Sequence, residues 1–321
     1  MAARSALAAI LVLVWSSPGL TRDLQSADIY SADHPTVQSV DWLGRELEKR
    51  TGGRHRIVSL GEESKNSEVF ILGQLRNGTL DMARLNVASL SNLVPAAFVP
   101  AMPSVFRSTE HMRRVLDGPI GEELLAALDR FELVGLCFYD IGARSFYGTR
   151  PVHKAADLNG ARVRVPPNAP WVAMLQALGV QPVSMPFERV HVALRNGTID
   201  FADDNWPAFV ASRHYEVAPY FNLTRHSMAP GVLVVSKRTW SLLSPADQAT
   251  FRAVARESVA YNRKLWDDVE RSMTRVAAAL KVTIVTDVDQ DSFVEKITPA
   301  RDRQMTSPRI AEMIERIAAT P

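Results

Sequence analysis

Residues Gly160–Pro207 read GARVRVPPNAPWVAMLQALGVQPVSMPFERVHVALRNGTIDFADDNWP. A basic strand ends in Arg164, because Val165-Pro166-Pro167 follows and proline cannot donate to a ladder. Trp171, Met174, Leu175 and Leu178 then recur at i, i+3, i+4 and i+7, the apolar face of a helix that Asn168 can cap and Gly179 ends. A short strand follows, then a helix lined by Phe187, Val190 and Leu194 until Gly197. Thr198–Ala202 runs as a strand into the polar cluster Asp203-Asp204-Asn205-Trp206. Alternating strands and helices specify an α/β fold, in which ligands bind beyond the carboxyl ends of strands. The Arg164 end and the Asp203–Trp206 end are thus read as two edges of one small-molecule site.

The end of this stretch has an echo. Leu75–Arg84 is LRNGTLDMAR and Leu194–Asp203 is LRNGTIDFAD. Both are a helix end, an Asn-Gly cap and a strand, the glycine taking the left-handed conformation that closes a helix. A repeated α/β unit, one copy per lobe, is expected, with its strand running out into Arg84 and Asn86 in one copy and Asp203, Asp204 and Asn205 in the other. Two such strand ends facing each other make a two-lobed site. Asn77, Asn196 and Asn222 begin Asn-x-Thr triplets, and two of the three are accounted for by capping.

The composition agrees. A chain of 321 residues with 46% hydrophobic and 22% charged residues has room for two domains and a large core. A net charge of +2 with no long basic run argues against nucleic acid. The single cysteine, Cys137, lies inside the apolar run Leu133–Tyr139, which excludes an intrachain disulfide and reads as a buried thiol. Arg4 followed by the short apolar run Ala6–Trp15 and the break Ser16-Ser17-Pro18-Gly19 reads as a signal peptide over residues 1–22, the remainder being exported.

Along the chain, strands are expected at Leu24–Tyr30, Arg56–Leu60, Thr79–Leu85, Leu133–Tyr139, from Arg144, at Gly231–Ser236 and at Val282–Thr286. Helices are expected at Thr36–Lys49, Ser67–Leu75, Thr109–Phe131 (broken at Asp117-Gly118-Pro119), Pro207–Glu216 and Ser307–Ala319. Ser244-Pro245-Ala246-Asp247 starts a helix that runs to about Leu280, long enough to brace both lobes.

Arg144 begins a strand and Arg164 ends one, and a planar guanidinium donates two parallel hydrogen bonds to a carboxylate. Asp203 and Asp204 point to opposite faces of a strand, so they read as acceptors for hydroxyl groups rather than as a catalytic pair. Trp206 is either a platform for a sugar ring or a core plug. The histidines show no HExxH pattern, and there is no G-x-S-x-G, P-loop or G-x-G-x-x-G motif.

With these residues in hand, the chain resembles the solute-binding proteins of TRAP (tripartite ATP-independent periplasmic) transporters. The resemblance runs through Ala161–Pro166, Ala177-Leu178-Gly179, Pro182–Pro186, Val190–Leu194, Gly197–Asp200, Tyr215–Ala218 and Leu243–Gln248. Ser26–Asp28, Pro35–Gln38, Arg50–His55, Leu85–Ala88, Phe106–Arg113, Gly142–Ser145 and Asn205–Pro207 are most similar to the branch that binds uronic acids such as glucuronate and galacturonate. The chain departs from the family pattern at Asp203-Asp204, where Glu-Asn is usual, at Phe201, where glycine is usual, and at Pro166-Pro167, where the branch often has two glutamines. An acid at 204 is expected to face hydroxyls or an arginine.

The resemblance implies a two-lobed periplasmic-binding-protein fold. One lobe is expected from residues 23–141 with 230–269, the other from 142–229 with 270–321. It implies a periplasmic, monomeric binding protein without cofactor, taking a carboxylate-bearing solute and passing it to membrane permease subunits. Arg164 carries the substrate carboxylate and Arg144 adds charge. Asn86, Asp204, Asn205, Trp206, Arg84, His34 and Glu68 complete the expected site. The competing expectation is an exported enzyme acting on acidic sugars through Asp203 or His226.

Overall fold

The computed structural model describes residues 22–60, 67–91, 93–166, 169–228, 230–303 and 307–321. Residues 1–21 of the expected signal peptide, the Asn168 cap and Pro167 lie outside these residues, whereas Arg22, its expected last residue, begins β1. The chain builds β1 (Arg22–Ala27), α1 (Pro35–Arg50), β2 (His55–Ser59), α2 (Glu68–Asn77) and β3 (Met82–Asn86). A 3-10 segment (Pro95–Ala101) leads to α3 (Thr109–Asp117), α4 (Pro119–Ala126), β4 (Leu133–Tyr139) and β5 (Arg144–Gly148). Next come β6 (Arg162–Val165), α5 (Ala169–Gln176), β7 (Gln181–Ser184), α6 (Val190–Arg195), β8 (Phe201–Asp204), α7 (Trp206–Ala211), β9 (Tyr220–Ser227) and β10 (Gly231–Ser236). The last elements are α8 (Lys237–Leu242), α9 (Pro245–Leu280), β11 (Thr283–Val285), α10 (Gln290–Arg303) and α11 (Pro308–Ala319).

The strands form two sheets, ordered β2-β1-β3-β10-β4 and β11-β9-β5-β8-β6-β7. Each has a parallel group, β2-β1-β3 in one and β8-β6-β7 in the other, bordered by antiparallel strands. The echo falls as expected, its strand being β3 in the first sheet and β8 in the second. Gly78 (φ 77°) and Gly197 (φ 64°) both close their helices left-handed. Thr79 N–H reaches Gln74 O at 3.0 Å and Thr198 N–H reaches Ala193 O at 2.8 Å, a shared two-bond C-cap. These bonds hold both threonines at the helix end, so each strand begins later than the sequence suggested and includes the polar residue expected beyond it.

Other differences have local causes. β1 stops at Ala27 rather than Tyr30, because Asp28 accepts the Tyr30 N–H and turns the chain away from the ladder. β6 extends one residue past Arg164, to Val165. The helix expected over Pro207–Glu216 is α7 followed by a separate 3-10 turn, His214–Glu216, entered through Arg213 at φ 53°. β9 and α10 were not anticipated.

The long helix is continuous. Ser244 accepts the Asp247 N–H, Pro245 sits in the first turn, and Asp247 is held by Arg54 and His55. Phe251, Val254, Ala255 and Val259 bury against Val40, Leu43 and Leu47 of α1 and against the first sheet. Each of the larger of these side chains, the valines, leucines and phenylalanine, contributes about 1.5–3 kcal/mol on removal from water. Further along, Ala277, with Val269 and Met273, packs into the core of the second sheet. The lobes are also joined by the crossings between β4 and β5 and between β9 and β10. The last helix then returns: Arg107 donates to Ala318 O and Thr320 O, His111 lies 3.0 Å from Ile317 O, and Arg316 and Arg309 pair with Glu123. Residues 308–319 therefore pack against α3, α4 and the Pro95–Ala101 segment.

Gly142 stands in the β4–β5 crossing at φ 73°, and a Cβ there would sit 2.7 Å from the Trp266 ring of α9. Gly142→Ala combines left-handed strain of about 1–2 kcal/mol with overpacking of about 1–3 kcal/mol. Gly53, at φ 80° with open space around it, bears only the strain. Thermal unfolding should show the larger fall in Tm for Gly142→Ala and a clearly smaller one for Gly53→Ala.

Candidate functional site

Between the two sheets lies a cavity of about 170 Å³. It is smaller than the roughly 300–1,000 Å³ usual for drug-sized ligands, and so suits one small solute. It opens where strands of both sheets end. The loop after β1 supplies Ile29 and Tyr30, β3 supplies Asn86, and the 3-10 turn after it supplies Ala88 and Ser89. Glu68 and Val69 come from the first turn of α2. From the second lobe come Arg144 at the start of β5, Arg164 on β6, Asp204 at the end of β8, and Trp171 of α5, with Pro186, Phe187 and Glu188 at the rim.

Register explains why Arg144 and Asp204 meet. β5 and β8 are antiparallel with Ser145 opposite Asp204 and Phe146 opposite Asp203, so the start of β5 lies beside the end of β8. Arg144 Nε donates to Asp203 Oδ2 at 2.6 Å, its NH2 group to the Asp203 carbonyl at 2.6 Å, and its NH1 group to Asp204 Oδ1 at 3.3 Å. His226 Nε2 lies 3.3 Å from Asp203 Oδ2. Burial alone would raise the Asp203 carboxyl, but Arg144 and His226 outweigh it and hold it well below the usual carboxylate range. Burial likewise disfavours the Arg144 cation, yet Asp203 and Asp204 raise it above its ordinary value. Arg144 is thus a fixed charge, bonded by the protein on all its nitrogens.

Arg164 differs. Its Nε donates to Met185 O at 3.1 Å, and its guanidinium lies 5.7 Å from the centre of the Phe187 ring. Among the described residues no carboxylate comes within 4.0 Å of it, although the residue is only 5% exposed. Burial pulls this guanidinium below its ordinary value, with Asp203 opposing. Arg164 lines the cavity, and among the described residues its two terminal nitrogens make no hydrogen bond, which makes it a desolvated cation with a donor fork to offer.

The opposite wall is held from behind. Arg84, fully buried, pairs with Asp28 and lies 3.5 Å from Glu68 Oε1. Glu68 accepts from Asn86 N at 2.8 Å, from Asn86 Nδ2 at 2.9 Å and from Ser89 Oγ. Burial raises the Glu68 carboxyl against the pull of Arg84. Tyr30 bridges the lobes: Asn205 Nδ2 donates to its hydroxyl and the hydroxyl donates to Asp204 Oδ1, both at 3.3 Å. Burial, then the nearby Asp204 charge, raises the Tyr30 hydroxyl and keeps it protonated as a donor.

Of the residues expected from sequence, Arg164, Arg144, Asn86, Asp204 and Glu68 line the cavity. Arg84 stands behind it. His34 caps α1, stacks on Tyr30 at 3.9 Å and lies 3.4 Å from Asn205 Oδ1, while Asn205 caps α7; both join the lobes without lining the cavity. Trp206 is the plug, not the platform: it packs on Phe209 and Phe221 in the core of the second sheet. Asp204 Oδ1 lies 3.3 Å from Arg144 NH1 and 3.3 Å from the Tyr30 hydroxyl. Asp203 and His226, which an enzymatic reading would use, are buried against each other and do not line the cavity. Tyr30, Trp171, Phe187 and Ser89 were missed. Tyr30 was hidden by reading it as the end of a strand, and Trp171 by its place in an apolar helix stripe.

The family model described as bacterial extracellular solute-binding protein, family 7, matches residues 26–307. A solute-binding protein of Chromohalobacter salexigens is 34% identical over 285 residues, covering 86% of this chain and 82% of its own. The crystal structure of a TRAP periplasmic solute-binding protein from Bradyrhizobium sp. BTAi1, in complex with α/β-D-galacturonate, is 42% identical with a TM-score of 0.88, covering 92% of this chain and 99% of that one. One from Pseudomonas putida F1 with bound D-glucuronate is 32% identical with a TM-score of 0.88, covering 93% and 97%.

Because Asp203 is held ionised in the folded state, its stabilisation is present above the unfolded carboxyl range of about pH 4 and fades as pH falls through its lower folded value. Calorimetric Tm should therefore drop on acidification below about pH 4. Asp203→Asn should be less stable at neutral pH and lose less over that acid range. Asp203→Ala, which strands a buried arginine, should cost about 3–5 kcal/mol.

Proposed function

The chain belongs to the bacterial extracellular solute-binding proteins of family 7, the solute receptors of TRAP transporters, and from that premise we propose that it captures a uronic acid, glucuronate or galacturonate, between its lobes. The observation that carries this reading is that Arg164, buried, lines the cavity and pairs with no carboxylate among the described residues. A carboxylate accepts two parallel hydrogen bonds there and supplies the countercharge that burial has denied the guanidinium. Arg144, already neutralised, adds direction rather than net charge. Asn86, Ser89 and Asp204 face the hydroxyls of the ring, and Trp171 with Ala88 and Ala101 offers an apolar wall to its C–H face. The galacturonate and glucuronate complexes of the two similar proteins support a ligand of this size and charge.

The solute enters with the lobes apart. Closure brings the Tyr30–Asp204 and His34–Asn205 contacts together and excludes water, which strengthens each polar contact to the solute. The closed protein then delivers the unaltered solute, in the periplasm, to permease subunits that recognise the closed arrangement. We assign residues 23–141, 230–269 and 308–319 to one lobe and 142–229 with 270–303 to the other.

Isothermal titration with D-galacturonate and D-glucuronate tests this reading. Arg164→Lys keeps the charge but loses the fork and should weaken binding about 10–100-fold, the worth of about 1.5–3 kcal/mol for a charged hydrogen bond. Binding unaffected by this change, or no binding of any sugar acid by the native protein, would overturn it.

A further inference from the structure

The charges around the cavity do not balance. Three arginines, Arg84 and Arg164 buried and Arg144 largely so, stand with four carboxylates, Asp28, Glu68, Asp203 and Asp204. Every one of those acids lies within salt-bridge distance of Arg84 or Arg144: Asp28 and Glu68 on the first, Asp203 and Asp204 on the second. Arg164 alone is left for a guest. Of the three acids that line the cavity, Glu188 is exposed at the rim, while Glu68 and Asp204 lie deeper and come from opposite lobes. Asp204 Oδ1 is occupied by Arg144, Tyr30 and Asn205 N, while Oδ2 has no partner among the described residues. Asn86 Oδ1 is buried without a hydrogen bond among them as well. The groups of the walls offered to a guest thus include the Arg164 donor fork and the acceptors Asp204 Oδ2 and Asn86 Oδ1.

Resting on the carboxylate reading above, we infer that Glu68 and Asp204 are specificity determinants that admit a solute with a single carboxylate and several hydroxyl donors, and exclude dicarboxylates of the same carbon skeleton. A hydroxyl away from the carboxylate end donates to Asp204 Oδ2 or Asn86 Oδ1. A second carboxylate in its place brings acceptors to acceptors and a negative charge to walls where acids already outnumber arginines. All of their own cations are spoken for. Exclusion by unpaired like charge is a stronger discriminator than a small change of shape. A neutral sugar fails for the converse reason, since it leaves Arg164 without a countercharge.

Titration of the native protein with D-galacturonate, galactarate and D-galactose at fixed pH and ionic strength reads this directly. Galactarate carries a second carboxylate in place of the anomeric carbon and is therefore open-chain, so the charge effect is read from how the ratio changes in the variants; galactose has a hydroxymethyl group where galacturonate has its carboxylate. Galacturonate is expected to bind, and galactarate at least about 100-fold more weakly. Asp204→Asn and Glu68→Gln keep shape and an acceptor while removing a charge. Each should narrow the galacturonate-to-galactarate ratio by about tenfold, a change of ratio that a general loss of packing would not produce. Galactarate binding within about threefold of galacturonate, or an unchanged ratio in both variants, overturns the inference while leaving the carboxylate reading intact. Absence of binding by all carboxylates would fall on that reading instead, and so on this one with it.

Discussion

The site depends on Arg144 being satisfied before any solute arrives. A guanidinium removed from water is costly unless every nitrogen finds an acceptor, and Arg144 finds a carboxylate, a main-chain carbonyl and a second carboxylate at the edge of β8. The arrangement follows from antiparallel register and needs no adjustment by the ligand. The Asp203–Arg144 pair also ties β5 to β8 through side chains where their ladder ends, and His226 of β9 extends the tie to a third strand. The central strands of the second sheet thus share one buried electrostatic joint at the edge of the cavity.

The echoed segments place a buried charge of opposite sign at the same point in each lobe. Arg84 of β3 and Asp203 of β8 are both fully buried, and each recruits its countercharge from a different strand or loop of its own lobe: Asp28 after β1 for the first, Arg144 at the start of β5 for the second. The two lobes are therefore similar in backbone and complementary in polarity. Where they meet, a neutral tyrosine hydroxyl sits between them, donating to an acid already held by an arginine. Contact between the lobes relies on hydrogen bonds among settled groups, so the charge left unsettled is the one that faces the solute.

Much of this was written locally. The Asn-Gly caps, the Ser-Pro-x-Asp helix start and the prolines after Arg164 act within a few residues of themselves, and the helices they close or start are where they were expected, while the neighbouring strands shift by one to three residues. What was hidden depended on partners distant in sequence. β9 reads as an ambiguous run because Asn222, Thr224 and His226 are buried polar residues. Their acceptors and donors lie on β5, in the chain near Val152 and on Asp203, so the apolar alternation of a strand is missing. α10 carries Pro299 in its interior and buries only Phe293, Ile297 and Ala300, too thin a stripe to stand out. Trp206 was undecidable from its neighbours, because an aromatic residue next to a polar cluster fits a core or a wall equally well. The sharing of work among the arginines could not be read from sequence at all: one is consumed, one is a buttress and one is vacant, and only three-dimensional pairing tells them apart.

The helix that spans both lobes contains no glycine, and its only proline is in the first turn. At 36 residues it is about 54 Å long, with its first half set in the core of one lobe and its last turns in that of the other. Such a rod has no joint. Any swing of the lobes must be taken up as shallow curvature spread over many hydrogen-bonded turns, while the short crossings near Gly142 and Pro230 do the turning. Mechanically the helix is a leaf spring rather than a hinge pin: it sets a resting angle and resists departure from it in either direction. The work of opening and closing is then shared elastically along its length, and substitutions far from the cavity on its exposed face become a means of tuning how readily the solute is held or released.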